Sequence, residues 1–302
     1  MTFRPTRLQA DLLLLLTAAI WGLAFVAQKT GMTGIGPLGF LGIRSILSAL
    51  TIAPLLYFEL KSPAVRPRIT PTDRWLMASM ALSFFAGVYL QQAGIRMTSV
   101  TNAGFLTTLY VVFTPVIALL PFRHAQSFIV WPACALALVG AFLLNGGGLT
   151  PLSAGDTLEL LCAVCFALQI NLMGILARRV QRPALLCMTQ HLTCVILGIG
   201  LGAGFEGITL SSLFENAIPL LYAGVISGGI GFTLQALAQQ HTPASDAAII
   251  MSAEALFAAL GGALLLHERL GMINWLGCGL IFVAIVLVEF YPLLRTQDRR
   301  AS

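Results

Sequence analysis

Charged residues are scarce in this sequence of 302 residues. Only 10% are Asp, Glu, Lys or Arg, whereas soluble domains carry roughly 25%. Hydrophobic residues make up 58% of the chain, and its mean hydropathy is +0.89. This composition excludes a soluble globular domain. The net charge of +5 does not indicate nucleic-acid binding, because the basic residues occur in twos and threes between long apolar segments.

The sequence also lacks the motifs of several enzyme and pump classes. It contains no phosphate-binding loop, no H-E-x-x-H pair and no Cys/His spacing typical of a metal site. All six cysteines fall within apolar segments, where a free Cys behaves as a small hydrophobic residue. We therefore expect no catalytic residues, no metal and no cofactor. ATP-driven transport and metal-dependent hydrolysis therefore lack the parts that they require.

Ten apolar segments are long enough to cross a bilayer. They cover residues 9–28, 37–58, 74–95, 98–121, 126–144, 156–178, 184–204, 216–238, 244–266 and 272–293. The connections between them are short and leave no room for a soluble domain. These segments predict an all-α integral membrane protein with ten transmembrane helices.

Basic residues are distributed unevenly over the connections. When alternate loops are assigned to the two membrane sides, thirteen Lys and Arg residues lie on one side and three on the other. Basic loops stay on the cytoplasmic side. We therefore expect both termini in the cytoplasm, in a bacterial-type inner membrane with the lipid bilayer as a partner.

An internal repeat divides the chain into two halves. Residues 83–143 and 227–287 are identical at fourteen of sixty-one positions at a fixed offset of 144, including Gln91/Gln235 and Trp131/Trp275. The repeat predicts two units of five helices each, residues 1–148 and 149–302. An odd number of helices makes the second unit enter the membrane from the opposite side. Inverted repeats are characteristic of secondary transporters, whose substrate site lies near the midplane between the halves.

Three stretches carry a family resemblance: "AAIWGLAFVAQK" in the first segment, "TNAGFLTTLYVVFTPVIALL" in the fourth and "AEALFAALGGALLLHERL" in the ninth. With the five-plus-five plan, they resemble the drug/metabolite transporter superfamily, EamA type. The chain is similar to bacterial exporters of amino acids and metabolites in that group, which includes the YddG-like branch that exports aromatic amino acids. The family pattern often has Glu-Pro where this chain has Glu254-Ala255, so the proline that usually bends this helix is missing.

Glu254 is the main functional candidate. It lies near the middle of its apolar segment, where a charged side chain costs about 2.5–3.5 kcal/mol and is usually retained for function. It could bind substrate or a proton, or it could be a structural acid hydrogen-bonded to a neighbour. Tyr110 occupies the equivalent position in the first half, so the two should face each other across a central cavity. Asn102 and Thr107 lie on neighbouring parts of the same helix as Tyr110.

Other polar and aromatic residues extend this candidate site. Arg44 could clamp a substrate carboxylate, or it could reach the membrane surface or pair with Glu254. Trp21 aligns with Phe166 in the repeat, and the pair could stack on a planar substrate or simply pack. The predicted substrate-binding residues are Trp21, Arg44, Tyr89, Gln92, Asn102, Thr107, Tyr110, Gln169, Glu254 and Phe257.

These features predict a secondary transporter, not an enzyme. We expect it to export small metabolites, above all amino acids and among them aromatic ones, by alternating access around a central cavity. An intramembrane transferase that acts on lipid-linked substrates and a passive channel are the alternatives. The oligomeric state stays open, with a monomer as one alternative.

Overall fold

The computed structural model describes residues 5–62, 67–119, 126–144, 146–147, 153–206, 209–267 and 269–301. Within these ranges the chain forms helices and connections, without strands. The ten long helices are α1 (Arg7–Thr30), α2 (Pro37–Lys61), α3 (Pro71–Gly94), α4 (Val100–Leu119), α5 (Val130–Leu144), α6 (Ala154–Val180), α7 (Pro183–Phe205), α8 (Ala217–Ala238), α9 (Ala244–Leu265) and α10 (Met272–Ala301). A short helix, Leu210–Glu215, precedes α8.

The helices coincide with the ten predicted membrane segments. Eight of the described helices are long and apolar enough to cross a membrane, and α5 and the apolar part of α10, Met272–Val288, are shorter. The prediction of an all-α membrane protein is therefore confirmed. Many large apolar side chains remain exposed on the outer surface of the bundle, as expected for helices that face lipid.

Helices α4 and α9 are interrupted at equivalent positions. A turn at Leu109 divides α4 immediately before Tyr110, and a turn at Ser252 divides α9 two residues before Glu254. The Ser252 hydroxyl donates to the carbonyl of Ile249 at 2.6 Å, so α9 changes its hydrogen bonding here without a proline. Irregular backbone at membrane depth is tolerated where it is buried in protein or lines a cavity.

Helices α2 and α7 run antiparallel and cap each other. Glu59, near the end of α2, accepts the backbone N–H groups of Ala184 and Leu185 at the start of α7, both at 3.1 Å. Glu206, directly after α7, accepts two backbone N–H groups in the first turn of α2, at 3.2 and 2.7 Å. These carboxylates satisfy donors that every helix N-terminus leaves without partners.

Helices α5 and α10 approach closely through Gly140 and Gly277. A Cβ atom at residue 277 would overlap the Gly140 carbonyl oxygen and lie 2.5 Å from the backbone nitrogen of Leu144. We expect Gly277→Ala to destabilise the protein by about 1–3 kcal/mol, the usual effect of overpacking, and to lower its Tm in detergent. Gly279→Ala on the same helix is the matched control, since a Cβ there meets nothing within 4 Å. Equal Tm values for the two variants would contradict this packing.

Candidate functional site

A central cavity lies between the two halves of the bundle. Its volume is about 470 Å³, counting space that opens to the outside. The lining residues are Trp21, Ala24, Phe25, Gln28, Arg44, Val88, Gln91, Tyr110, Phe166, Gln169, Ile170, Ser227, Phe232 and Glu254.

Half of the predicted substrate-binding residues line this cavity. Trp21, Arg44, Tyr110, Gln169 and Glu254 come from five different helices and meet there. Sequence analysis had connected them only through the repeat and through their depth in the membrane. Their role in binding substrate stays a prediction.

The other predicted residues lie outside the lining, some of them directly behind it. Gln92 donates to the backbone carbonyl of Gln28 at 3.4 Å, and Tyr89 stacks on Phe85 at a ring distance of 6.3 Å. Thr107 is buried between helices α3, α4 and α6.

Asn102 and Phe257 do not line the cavity either. Asn102 binds Asp156, and Phe257 packs on α1, where a Cβ at Gly22 would overlap it.

Arg44 provides a buried positive charge at the cavity wall. Only 6% of its surface is exposed, so it does not extend to the membrane surface. Its Nη1 donates to Gln28 Oε1 at 3.0 Å. In the part of the chain that the structure describes, its guanidinium forms no ion pair with Glu254 or any other acid. The remaining donors of its planar fork suit a carboxylate.

Glu254 and Tyr110 form a second polar group in the cavity. Both side chains are buried, 3% and 2% exposed, and the Tyr110 hydroxyl lies close enough to the Glu254 carboxyl to interact with it. Neither Glu254 Oε1 nor Tyr110 Oη makes a well-formed hydrogen bond among the described residues. Buried polar atoms usually have partners, so these two oxygens are available to a ligand or to water.

Aromatic rings form much of the remaining wall. Trp21 packs on Phe232 with 4.4 Å between ring centroids, and its indole Nε1 donates to the carbonyl of Ser227 at 3.3 Å. This hydrogen bond holds the Trp21 ring against the π-helical segment of α8, Tyr222–Gly231. Phe166, the repeat partner of Trp21, also lines the cavity. The wall can therefore contact a large apolar or planar group.

Comparison with known proteins places this architecture in a family. The sequence pattern of the EamA-like transporter family matches the chain twice, over residues 8–146 and 153–290. The chain belongs to the EamA-like transporter family. It is thus a multi-pass membrane protein of a family of small-molecule transporters.

Individual relatives agree with this assignment. An uncharacterized transporter of Archaeoglobus fulgidus is 30% identical over 287 residues, which are 94% of this chain and 86% of the relative. The uncharacterized transporter YoaV of Bacillus subtilis is 21% identical over 275 residues, 90% of this chain and 93% of the relative. One solved crystal structure matches with a TM-score of 0.73 and 15% identity over 93% of this chain and 98% of that chain. At that identity it shows a shared fold alone.

One contact between the halves of this EamA-like transporter lies where α4 and α6 begin. Asp156, in the first turn of α6, accepts hydrogen bonds from Thr98 Oγ1 at 3.0 Å and from Asn102 Nδ2 at 2.5 Å. Lys29, near the end of α1, donates to the carbonyls of Ile95 and Thr98 at 2.8 and 2.7 Å. We call the Thr98–Asn102–Asp156 cluster the α4–α6 contact.

A second contact has the equivalent residues at the opposite end of α1. Asp11, which aligns with Asp156, accepts from Thr242 Oγ1 at 2.5 Å, and Arg7 pairs with Asp246 at 2.6 Å. Thr242 and Asp246 are the repeat counterparts of Thr98 and Asn102. We call this Arg7–Asp11–Thr242–Asp246 cluster the α1–α9 contact. Along α1, the cavity residue Trp21 lies between Asp11 and Lys29.

Sequence analysis did not single out Glu159, a buried acid on α6. It is fully buried and accepts a hydrogen bond from Thr107 Oγ1 at 3.0 Å. Its burial results from the close approach of α3 and α6, because a Cβ at Gly94 would lie 2.9 Å from the carbonyl oxygen of Gly155.

Proposed function

We propose that this protein exports amino acids by alternating access, with aromatic or other apolar side chains preferred. The observation that carries the proposal is a buried arginine and a buried glutamate, Arg44 and Glu254, on the wall of one cavity without an ion pair between them. Both termini lie in the cytoplasm, and the membrane is a bacterial-type inner membrane.

A zwitterion supplies the partner that each charge lacks. The fork of Arg44 binds the substrate carboxylate, and Glu254 with Tyr110 binds the ammonium group. Charge-assisted hydrogen bonds of this kind are stronger than neutral ones. The requirement for both charges separates an amino acid from a simple amine or a simple acid.

The aromatic wall accommodates the side chain of the substrate. Trp21, Phe166 and Phe232 present ring surfaces to the cavity, and burial of an apolar side chain against them contributes roughly 25 cal/mol per Å². A polar or charged side chain gains nothing there and loses water. This supports a preference for aromatic and large aliphatic amino acids.

Alternating access requires two halves that move against each other around the cavity. The antiparallel, reciprocally capped α2 and α7 and the two equivalent end contacts support an inverted repeat. Opening of the α4–α6 contact exposes the cavity to one face, and opening of the α1–α9 contact exposes it to the other. The halves correspond to residues 1–148 and 149–302.

Saturable flux in proteoliposomes tests the substrate assignment. We expect uptake of labelled L-phenylalanine to saturate and to be inhibited by leucine or methionine more strongly than by lysine or glutamate. Phenethylamine lacks the carboxylate and 3-phenylpropionate lacks the ammonium group, so each should inhibit at least tenfold less well than phenylalanine. Inhibition by either analogue as strong as that by phenylalanine, or no saturable flux of any amino acid, would refute the assignment.

The two end contacts should respond separately to mutation. Asp156→Ala removes the acceptor of the α4–α6 contact, and we expect backbone hydrogen exchange to rise about tenfold at residues 98–104, since a hydrogen bond to a charged group is worth about 1.5–3 kcal/mol. Asp11→Ala is the matched variant and should raise exchange at residues 242–248 instead. Hydrogen exchange of both variants is measured by mass spectrometry in detergent and compared with that of the wild type. The same pattern in both variants would contradict independent contacts.

A further inference from the structure

Glu159 differs from the buried acids that cap a helix or form an ion pair. Glu59 accepts two backbone N–H groups, and Asp73 pairs with Arg179 at 2.9 Å. Glu159 is 0% exposed, and its one hydrogen-bond donor among the described residues is the Thr107 hydroxyl. Its second oxygen, Oε1, has no partner there. A structural acid usually has a donor for each oxygen or a cation beside it.

The surroundings of Glu159 contain acids and neutral groups. Asp156 and Cys162 lie on the same helix, and Glu254 is the acid that approaches from α9. Helix α4 contributes the neutral Thr107, and α3 contributes the close backbone of Gly94. No Arg, Lys or His in the described ranges forms an ion pair with this carboxyl. A proton is the cation that can reach such a site and neutralise it.

Two side chains connect Glu159 to the cavity. Thr107 donates to Glu159 Oε2 at 3.0 Å and accepts from Gln91 Nε2 at 3.4 Å, and Gln91 lines the cavity. In the other direction, Asp156 lies three residues earlier on α6, about 4.5 Å closer to the helix start at 1.5 Å per residue. Asp156 belongs to the α4–α6 contact and is 7% exposed.

We propose that Glu159 is a proton-binding site that couples proton movement to transport, connected to the central cavity by Thr107 and Gln91. This inference rests on the proposed transport function and names the coupled ion. A proton from the face where α6 begins passes by Asp156 and adds to the Glu159 carboxylate, which becomes a carboxylic acid. The acid then donates to Thr107 instead of accepting from it. The Thr107 hydroxyl must turn, and the hydrogen bond to the cavity residue Gln91 changes with it.

Infrared spectroscopy of the reconstituted full-length protein tests proton binding without any substrate. A carboxylic acid that exchanges its proton with the solvent has a C=O band that shifts between H₂O and D₂O. We expect this band in the wild type, its loss in Glu159→Gln and its retention in the control Glu59→Gln, which removes a buried acid that accepts two backbone donors. Glu159→Asp should shift the band rather than remove it. A band of unchanged position and intensity in both Glu159 variants would overturn the proposal.

Flux driven by a pH gradient tests the coupling. We expect an inward proton gradient to accelerate release of labelled L-phenylalanine from wild-type proteoliposomes severalfold, and to leave the rate in Glu159→Gln unchanged within error. Acceleration of the same size in the variant would overturn the coupling. Absence of saturable phenylalanine flux in the wild type would instead count against the proposed substrate, and the infrared result would still decide whether Glu159 binds a proton.

Discussion

Replacement of Glu254 by Gln should reduce amino-acid flux about 10- to 100-fold while the protein remains folded. Glu254 is an acid on the cavity wall, and its Oε1 has no hydrogen-bond partner among the described residues. In the proposed function it binds the ammonium group of the substrate. A charge-assisted hydrogen bond contributes about 1.5–3 kcal/mol, which corresponds to roughly 10–150-fold in affinity. Gln keeps the shape and removes the charge. The measurement is the concentration dependence of phenylalanine uptake.

A pair of ligands makes the Glu254 experiment specific. 3-Phenylpropionate has no ammonium group, so its inhibition constant should be the same in the wild type and in Glu254→Gln. Phenylalanine should lose most of its advantage over this analogue. Glu59→Gln is the control for removal of a buried carboxylate elsewhere in the bundle. If the variant transports phenylalanine with wild-type constants, Glu254 has a structural role only.

Replacement of Arg44 by Met should raise the KM for amino acids by a similar factor, about 10- to 100-fold. Arg44 is buried at the cavity wall, and in the described ranges its side chain bonds Gln28 and pairs with no acid. In the proposed function the substrate carboxylate is its counter-charge. Arg44→Lys keeps the charge but loses the planar fork, so its effect should be intermediate.

Phenethylamine is the matched ligand for Arg44. It lacks the carboxylate, so its inhibition constant should not change in Arg44→Met. Purified yield and Tm of each variant serve as folding controls. An equal loss for phenylalanine and phenethylamine would mean that Arg44 shapes the cavity rather than binding the carboxylate.

Much of the architecture was predictable because it depends on composition and on the repeat. Ten apolar segments and the scarcity of charge within them require a membrane bundle, since each segment must satisfy its backbone internally. The offset of 144 residues also identified Tyr110 as the partner of Glu254, and both line the cavity. The depth of a residue in the membrane and its counterpart in the repeat can both be inferred directly from the sequence.

The direction of a side chain around its helix was not predictable. Asn102 and Thr107 lie on the same helix as Tyr110, yet Asn102 binds Asp156 at the end of the bundle and Thr107 binds Glu159. Both are polar residues on the helix that carries Tyr110, and the sequence does not show which neighbouring helix each of them faces. The interruption at Leu109, just before Tyr110, adds a local change of helix register.

Cavity residues from α8 were missed for another reason. Ser227 and Phe232 lie in and next to a π-helical segment, where the usual helical periodicity does not apply. The interruption of α9 was also unexpected, because Ala255 replaces the family's proline. In the structure it falls at Ser252, whose hydroxyl donates to the carbonyl of Ile249.

Counterflow in proteoliposomes tests the central claim most directly. Vesicles that contain the purified protein are loaded with a saturating concentration of an unlabelled amino acid, and a trace of the labelled form is added outside. A carrier with one cavity that opens alternately to each face predicts a transient accumulation of label above its outside concentration. Label that only equilibrates, with a rate that rises linearly with concentration, would mean a continuous pore and would contradict alternating access.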